Sequence, residues 1–163
     1  MSNEFQNKTA IVTGSTQGIG YAVAKLYIER GLSNLTIVGR DESKGDKVCE
    51  EFNSMGTNCL FVKAELKDVN DCRKIVKMTD EKFGRVDILA NCAGDTRRAT
   101  ILSTDQNLFD DIIAVNLRAP FFLIQDCVKI MRREKIKGAI ASVRTMSSHS
   151  GAVFKAPYSA SKA

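Results

Sequence analysis

The sequence predicts a three-layer α/β/α domain built on a doubly wound parallel sheet. Short β-branched runs alternate with longer segments of helical period, the pattern of parallel strands joined by crossover helices. The 163 residues suffice for a single domain over 1–163, and a chain of that length buries roughly 70% of its unfolded surface. Composition agrees: 44% apolar and 26% charged residues is ordinary globular usage and excludes collagen-like, low-complexity and disordered chains.

The elements follow in order. Residues 8–13 read as a buried strand, and after a glycine-containing turn Ile19, Ala22, Val23 and Leu26 recur at helical spacing until Gly31 stops them. A second strand, 35–38, precedes a polar helix over 42–53, and a third, 59–62, precedes a helix with Val69, Cys72 and Val76 inward. The fourth strand, 86–90, ends in Asn91-Cys-Ala-Gly94, followed by a polar loop and a helix from near Thr104. A further helix over 118–133 carries an apolar arc too wide for one face against a sheet, so a second layer or a partner subunit must cover the excess. The fifth strand is 138–143, and after a serine-rich loop a helix begins near Tyr158. That helix has barely begun at Ala163, so the sheet is expected to be incomplete, with C-terminal strands missing.

Charge and cysteine usage narrow the function classes. The balance of 24 Lys+Arg against 19 Asp+Glu is +5 and scattered, which favours solvated helix ends over a nucleic-acid surface. Five cysteines without a Cys-x-x-Cys pair, beside one histidine, argue against a zinc site or a disulfide framework. The N-terminus lacks an apolar leader-like core and no apolar run is long enough to span a membrane, so a cytoplasmic setting without membrane partners is the expectation.

Between the first strand and its helix lies Thr13-Gly-Ser-Thr-Gln-Gly-Ile-Gly20. A glycine-rich strand-to-helix turn lets backbone N–H groups and the helix N-terminus face a pyrophosphate, although its spacing departs from the common Gly-x-Gly-x-x-Gly form. Together with Asn-x-Ala-Gly at 91–94, the asparagine in Ala114-Val-Asn-Leu117 and Tyr158-Ser-Ala-Ser-Lys162, this turn resembles the short-chain dehydrogenase/reductase family. The four motifs stand in the family's order and intervals along the whole chain and resemble its compact members, which act on alcohols and ketones. The resemblance implies a Rossmann-like fold and a nicotinamide cofactor held by Gly14, Ser15, Thr16, Gln17, Gly18, Ile19 and Gly20. It also implies that Glu65 and Leu66 border the adenine, that Asn91, Ala93 and Gly94 line the adenosine ribose, and that Tyr158 and Lys162 face the nicotinamide side.

Cofactor choice turns on the end of the second strand, Val38-Gly-Arg-Asp41. An acid there pairs with the ribose hydroxyls of NAD, whereas an arginine neutralises the 2′-phosphate of NADP. Gly39 stands where NAD-using relatives keep the acid and Arg40 follows it, which favours NADP(H) over NAD(H). Asp41 either reaches the ribose or caps the next helix.

Tyr158 and Lys162 are one helical turn apart and share a face. A phenol beside an ammonium suits general acid–base work on an alkoxide. By resemblance, Tyr158 exchanges the proton with the substrate oxygen, Lys162 assists it and holds the nicotinamide ribose, and Asn116 anchors a water relay. Asn116 also reads as a helix-capping or helix-kink residue. The family's fourth catalytic group is a serine thirteen residues before the tyrosine; here that position is Thr145, which keeps the hydroxyl and adds a methyl, with Ser147 and Ser148 as fallbacks. Arg144 departs from the family's small polar residue, and His149 reads as a pocket wall or surface residue.

These residues point to hydride transfer between nicotinamide C4 and a small-molecule alcohol or ketone, with no metal and no nucleic acid. The alternative is a non-catalytic NADP(H) sensor or regulatory module; a third reading is a structural interaction protein using the broad apolar helix. The resemblance further implies a homodimer or homotetramer for the full-length parent, whose substrate-covering segments would lie beyond this sequence.

Overall fold

The computed structural model of the chain describes residues 3–150 and 152–163, leaving Met1, Ser2 and Gly151 aside. Five parallel strands form one sheet: β1 (Thr9–Thr13), β2 (Asn34–Gly39), β3 (Asn58–Lys63), β4 (Ile88–Asn91) and β5 (Ala139–Ser142), in the order β3-β2-β1-β4-β5. The crossovers are α1 (Gly18–Glu29), α2 (Glu42–Ser54) and α3 (Val69–Phe83), then α4 (Gln106–Ile113) and α5 (Ala119–Arg133), with α6 (Ala156–Lys162) after β5. This is the doubly wound arrangement that the alternation of strand and helix patterns predicts.

Period-two alternation along the strands divides the core between two layers. In β1, Ile11 packs with Val38, Val62 and Leu89 beneath α3 and α5, whereas Ala10 and Val12 pack with Leu35, Ile37 and Ile88 beneath α1 and α2. Ile11 pairs with Thr36 of β2 and Leu89 of β4, which fixes the register at the sheet centre. Fully burying one such Ile or Leu contributes about 1.5–3 kcal/mol.

Several boundaries differ from the sequence reading, two of them with a clear physical cause. β4 starts at Ile88 instead of residue 86, because the Asp87 carboxylate accepts Thr9 N–H at 2.9 Å and is itself clasped by Arg85 at 2.7 and 2.8 Å. The two helices expected from residue 104 and over 118–133 are one continuous run, joined by a π-helical turn over Ala114–Arg118. Pro120 has no N–H for the carbonyl four residues back, and the helix widens there, with Ala119 N–H donating to Ala114 O. The wide apolar arc of α5 is split: Leu123, Cys127, Ile130 and Met131 are buried against the sheet layer, while Phe121 is 60% exposed. β5 is the sheet edge and all four of its residues are exposed.

Candidate functional site

The strand order reverses between β1 and β4, so their carboxyl ends splay apart and open a crevice at the switch point of the sheet. A cavity of about 720 Å³ lies there. Gly14, Thr16, Gln17, Gly18, Ile19 and Gly20 line it from the first turn, Gly39 and Arg40 from the end of β2, and Glu65 and Leu66 from the end of β3. Ala93 and Gly94 close it beyond β4.

The turn requires glycine for two different reasons. Gly14 and Gly18 hold φ of +63° and +59°, the left-handed region that L side chains rarely adopt. Gly14 also lies against β4's loop: a Cβ there would stand 2.9 Å from Ala93 Cα. The hydroxyl of Thr13 accepts Cys92 N–H and Ala93 N–H, each at 3.1 Å, and so joins the ends of β1 and β4.

Aspartates cap α2, α3 and α4, whereas α1 begins without a side-chain cap or an acidic first turn. An uncapped helix N-terminus behind a glycine cradle suits a phosphate chemically. The donor set thus fits the pyrophosphate of a dinucleotide. Ser15 is fully buried outside the cavity lining, where its hydroxyl donates to Val12 O at 2.6 Å and accepts Val38 N–H at 2.9 Å. It braces the turn from behind.

At the β2 end, Asp41 accepts Lys44 N–H at 3.1 Å as the N-cap of α2, which gives that carboxylate its capping role. Arg40 is exposed and stands 3.9 Å from Glu65. Lys44 donates to Gln17, adding a second cation to this rim.

The remaining predicted residues gather around α6 and the π turn. Lys162 Nζ donates to Val143 O at 2.9 Å and lies 3.7 Å from a Cβ built on Gly94; Asn116 Oδ1 is 3.4 Å from the same point. Burial holds the Lys162 ammonium below its ordinary pKa. Asn116 is 5% exposed, and every polar arm of its amide is engaged. Its oxygen accepts Asp95 N–H at 2.8 Å, and its nitrogen donates to Asp95 O and Ser161 Oγ, both at 2.9 Å. Ser161 Oγ in turn donates to Tyr158 O at 2.7 Å. Asn116 therefore sits in a helix irregularity, as one of its two readings expected, and ties the β4 loop to the helix carrying Tyr158 and Lys162.

Tyr158 is half-buried on α6. Thr145 caps a 3₁₀ turn over Met146–Ser148, accepting Ser147 N–H at 3.3 Å and sharing a hydrogen bond with Ser147 Oγ at 3.0 Å. Ser147, Ser148 and the exposed His149 line a separate shallow cavity of about 370 Å³. Arg144 Nε donates to Lys162 O at 3.2 Å, which gives that departure a structural role.

Asn91 is 3% exposed and does not line the large cavity; its Nδ2 donates to Ser142 Oγ at 3.2 Å across to β5. The sequence reading missed several lining residues, among them Lys67, Cys92, Asp95, Arg97 and Val115. Cys92 was legible as the variable position of Asn91-Cys-Ala-Gly94. Arg97, bound to Asp95 two residues before it at 2.6 Å and to Asp111 of α4 at 2.8 Å, and Lys67, bound to Asp111 at 2.8 Å, carried no motif signal because Lys67 and Arg97 meet at Asp111 only through the fold. Among the described residues no cluster of His, Cys, Asp or Glu suits a metal ion, and no helix is long and apolar enough to cross a membrane.

The comparisons agree with this architecture. The family model described as short chain dehydrogenase matches residues 8–163. The chain is 36% identical to an uncharacterized oxidoreductase of Thermotoga maritima over 98% of its own length and 62% of the relative's. It is 30% identical to 3-oxoacyl-(acyl-carrier-protein) reductase FabG of Staphylococcus aureus over 96% of the chain and 63% of the relative. The chain thus spans less than two thirds of these relatives' length. A crystal structure of a metagenomic short-chain oxidoreductase in complex with NADP superposes with a TM-score of 0.90 at 26% identity, covering 97% of this chain and 71% of that one.

Proposed function

Since the chain belongs to the short chain dehydrogenase family, we propose that the protein is an NADP(H)-dependent oxidoreductase that interconverts an alcohol and a ketone. The observation that carries this reading is the convergence at one crevice: the glycine turn lines its phosphate side and Arg40 its rim, and Lys162 and Asn116, which do not line it themselves, approach Gly94, which does. The NADP complex of the structural neighbour supports the cofactor class.

When bound, the reduced nicotinamide supplies a hydride at its C4 atom. The chain's own groups bind, orient and protonate. The turn 14–20 and the start of α1 hold the pyrophosphate, Arg40 neutralises the 2′-phosphate, and Glu65 and Leu66 border the adenine. Thr145 Oγ1 donates a hydrogen bond to the substrate carbonyl, exchanging its present contact with Ser147 Oγ. Tyr158 gives its phenolic proton to the alkoxide oxygen. Lys162 holds a positive charge beside that transfer and draws the ribose hydroxyls. Asn116 holds the loop and α6 in register, which keeps Tyr158 and Lys162 oriented. Ser15 and Asn91 act behind the site, bracing the ends of β1 and β4. The exposed Leu117, Phe121 and Val128, on one helical face, support the reading of a homo-oligomer.

The test is NADPH oxidation by the protein against a panel of small ketones and acyl thioesters, with Thr145→Ser and Thr145→Ala alongside. Turnover retained by Ser and lost by Ala supports the enzyme. Tight NADPH binding without turnover on any carbonyl favours the non-catalytic sensor.

A further inference from the structure

One carboxylate oxygen of α4 joins two walls of the crevice. Lys67 follows the end of β3 and Arg97 follows the end of β4. The order β3-β2-β1-β4 sets those strands three places apart, about 14 Å at ordinary strand spacing. Asp111 Oδ2 accepts Lys67 Nζ and Arg97 Nη2, each at 2.8 Å. Arg97 also grips the Asp95 carboxylate of its own loop through Nε and Nη2, at 2.9 and 2.6 Å. Arg118 Nη2 donates to Lys67 O at 2.8 Å and pins the other segment to the π turn. Lys67, Asp95 and Arg97 line the crevice, and Asp111 is joined to it through them.

We propose, resting on the dinucleotide reading of the crevice, that Asp111 is a positioning residue that sets the width of its adenosine end by latching the segment after β3 to the segment after β4. In that reading Glu65 and Leu66 border the adenine, and Ala93 and Gly94 line the adenosine ribose. Lys67 directly follows the first pair and Asp95 the second, so the latch closes on the residues next to both walls.

A lone half-exposed ion pair holds little, but here one carboxylate unites two cations, and one of them is forked onto a second carboxylate. That networked geometry is the one in which surface pairs do contribute. Without Asp111, Lys67 and Arg97 lose the anion between them and repel each other. The Asp95 backbone keeps its hydrogen bonds to Asn116, so α6 stays in place and the loss falls on cofactor binding instead of the chemical step.

The test compares the unaltered protein with Asp111→Asn, Asp111→Glu and, as a control, Asp110→Asn, which alters an exposed carboxylate beside it on α4. Calorimetric titration uses NADPH and adenosine 2′,5′-bisphosphate, which carries the adenosine end alone. Asp111→Asn should weaken both ligands by about fivefold, Asp111→Glu should restore most of that loss, and Asp110→Asn should change neither. If Asp111→Asn fails to fold, Lys67→Met, which removes one arm of the latch, should weaken both ligands in its place. In the ligand-free protein, amide exchange over 94–98 should quicken in Asp111→Asn and not in Asp110→Asn. With a ketone that is turned over, KM for NADPH should rise while kcat at saturating NADPH holds. Unchanged affinity for both ligands in folded Asp111→Asn, or an equal loss in Asp110→Asn, overturns the latch and leaves the dinucleotide reading standing. No NADPH binding by the folded unaltered protein overturns that reading, and the latch with it.

Discussion

The side chain of Thr16 fills the space in which a side chain at position 39 would begin: a Cβ built on Gly39 lies 2.6 Å from Thr16 Cγ2 and 3.0 Å from Thr16 Oγ1. Glycine at 39 is thus a packing requirement as well as the absence of an NAD-type acid. Gly39→Asp should weaken NADPH binding at least tenfold, about 1.4 kcal/mol, through like-charge repulsion of the 2′-phosphate. It should gain NADH affinity only when Thr16→Ala clears the methyl. Calorimetric titration of the two single variants and the double variant checks this; strong NADH binding by Gly39→Asp alone would show that Thr16 yields freely.

Removal of the proposed proton donor separates binding from chemistry. Tyr158→Phe should lower turnover about 10²–10⁴-fold, the usual range for a lost general acid, while the NADPH dissociation constant changes less than threefold. Lys162→Met should lower turnover and weaken NADPH together, since Lys162 approaches the Gly94 floor of the crevice. Steady-state rates on a reactive ketone beside fluorescence titrations give both quantities.

Asn116→Ala strands the part-buried Asp95 N–H and Asp95 O and removes a buried partner of Ser161 Oγ. Each buried group left unpaired costs about 1–3 kcal/mol. The expected outcome is a lower thermal midpoint and faster amide exchange over α6, measured by mass spectrometry. Normal α6 protection would remove Asn116 from its positioning role.

The Arg133 guanidinium grips the Asp80 carboxylate with two hydrogen bonds, at 2.6 and 2.8 Å, between α5 and α3. That hydrogen bonding holds Asp80 below its ordinary carboxylate pKa of 3.8. A depressed folded-state pKa gives stability that is complete above the unfolded value and is lost as pH falls through the folded one. Arg133 is half exposed, so solvent screens the pair and its contribution is small. Asp80→Asn should melt slightly lower at neutral pH, and the gap should shrink on titration below pH ~4. A gap that is constant with pH would contradict the ion-pair account.

The strands, the first three helices and the glycine turn were legible because each rests on local pattern: Ile11 alternates with Ala10 and Val12, and Gly31 ends α1. The π turn was not, since apolar periodicity over 106–133 does not report that Pro120 withholds one N–H. Ser15 and Asn91 illustrate a second limit. Both lie inside motifs, yet their side chains face neighbouring strands instead of the crevice, and a motif does not say which of its members point inward. The joining of Lys67 and the Asp95–Arg97 pair at Asp111 of α4 depends on segments meeting in space, which no spacing rule encodes.

The central claim is that the crevice at the ends of β1 and β4 binds a phosphorylated dinucleotide. Gly18 is the sharpest probe of it: a Cβ there meets nothing within 4 Å, and its φ of +59° is one that aspartate tolerates better than most residues. Gly18→Asp should therefore preserve the fold while placing a carboxylate against the pyrophosphate. Fluorescence titration with NADPH and NADH should show the unaltered protein binding NADPH more tightly and the folded variant binding neither. Equal NADPH affinity in both proteins, or no binding by the folded unaltered protein, would contradict the account.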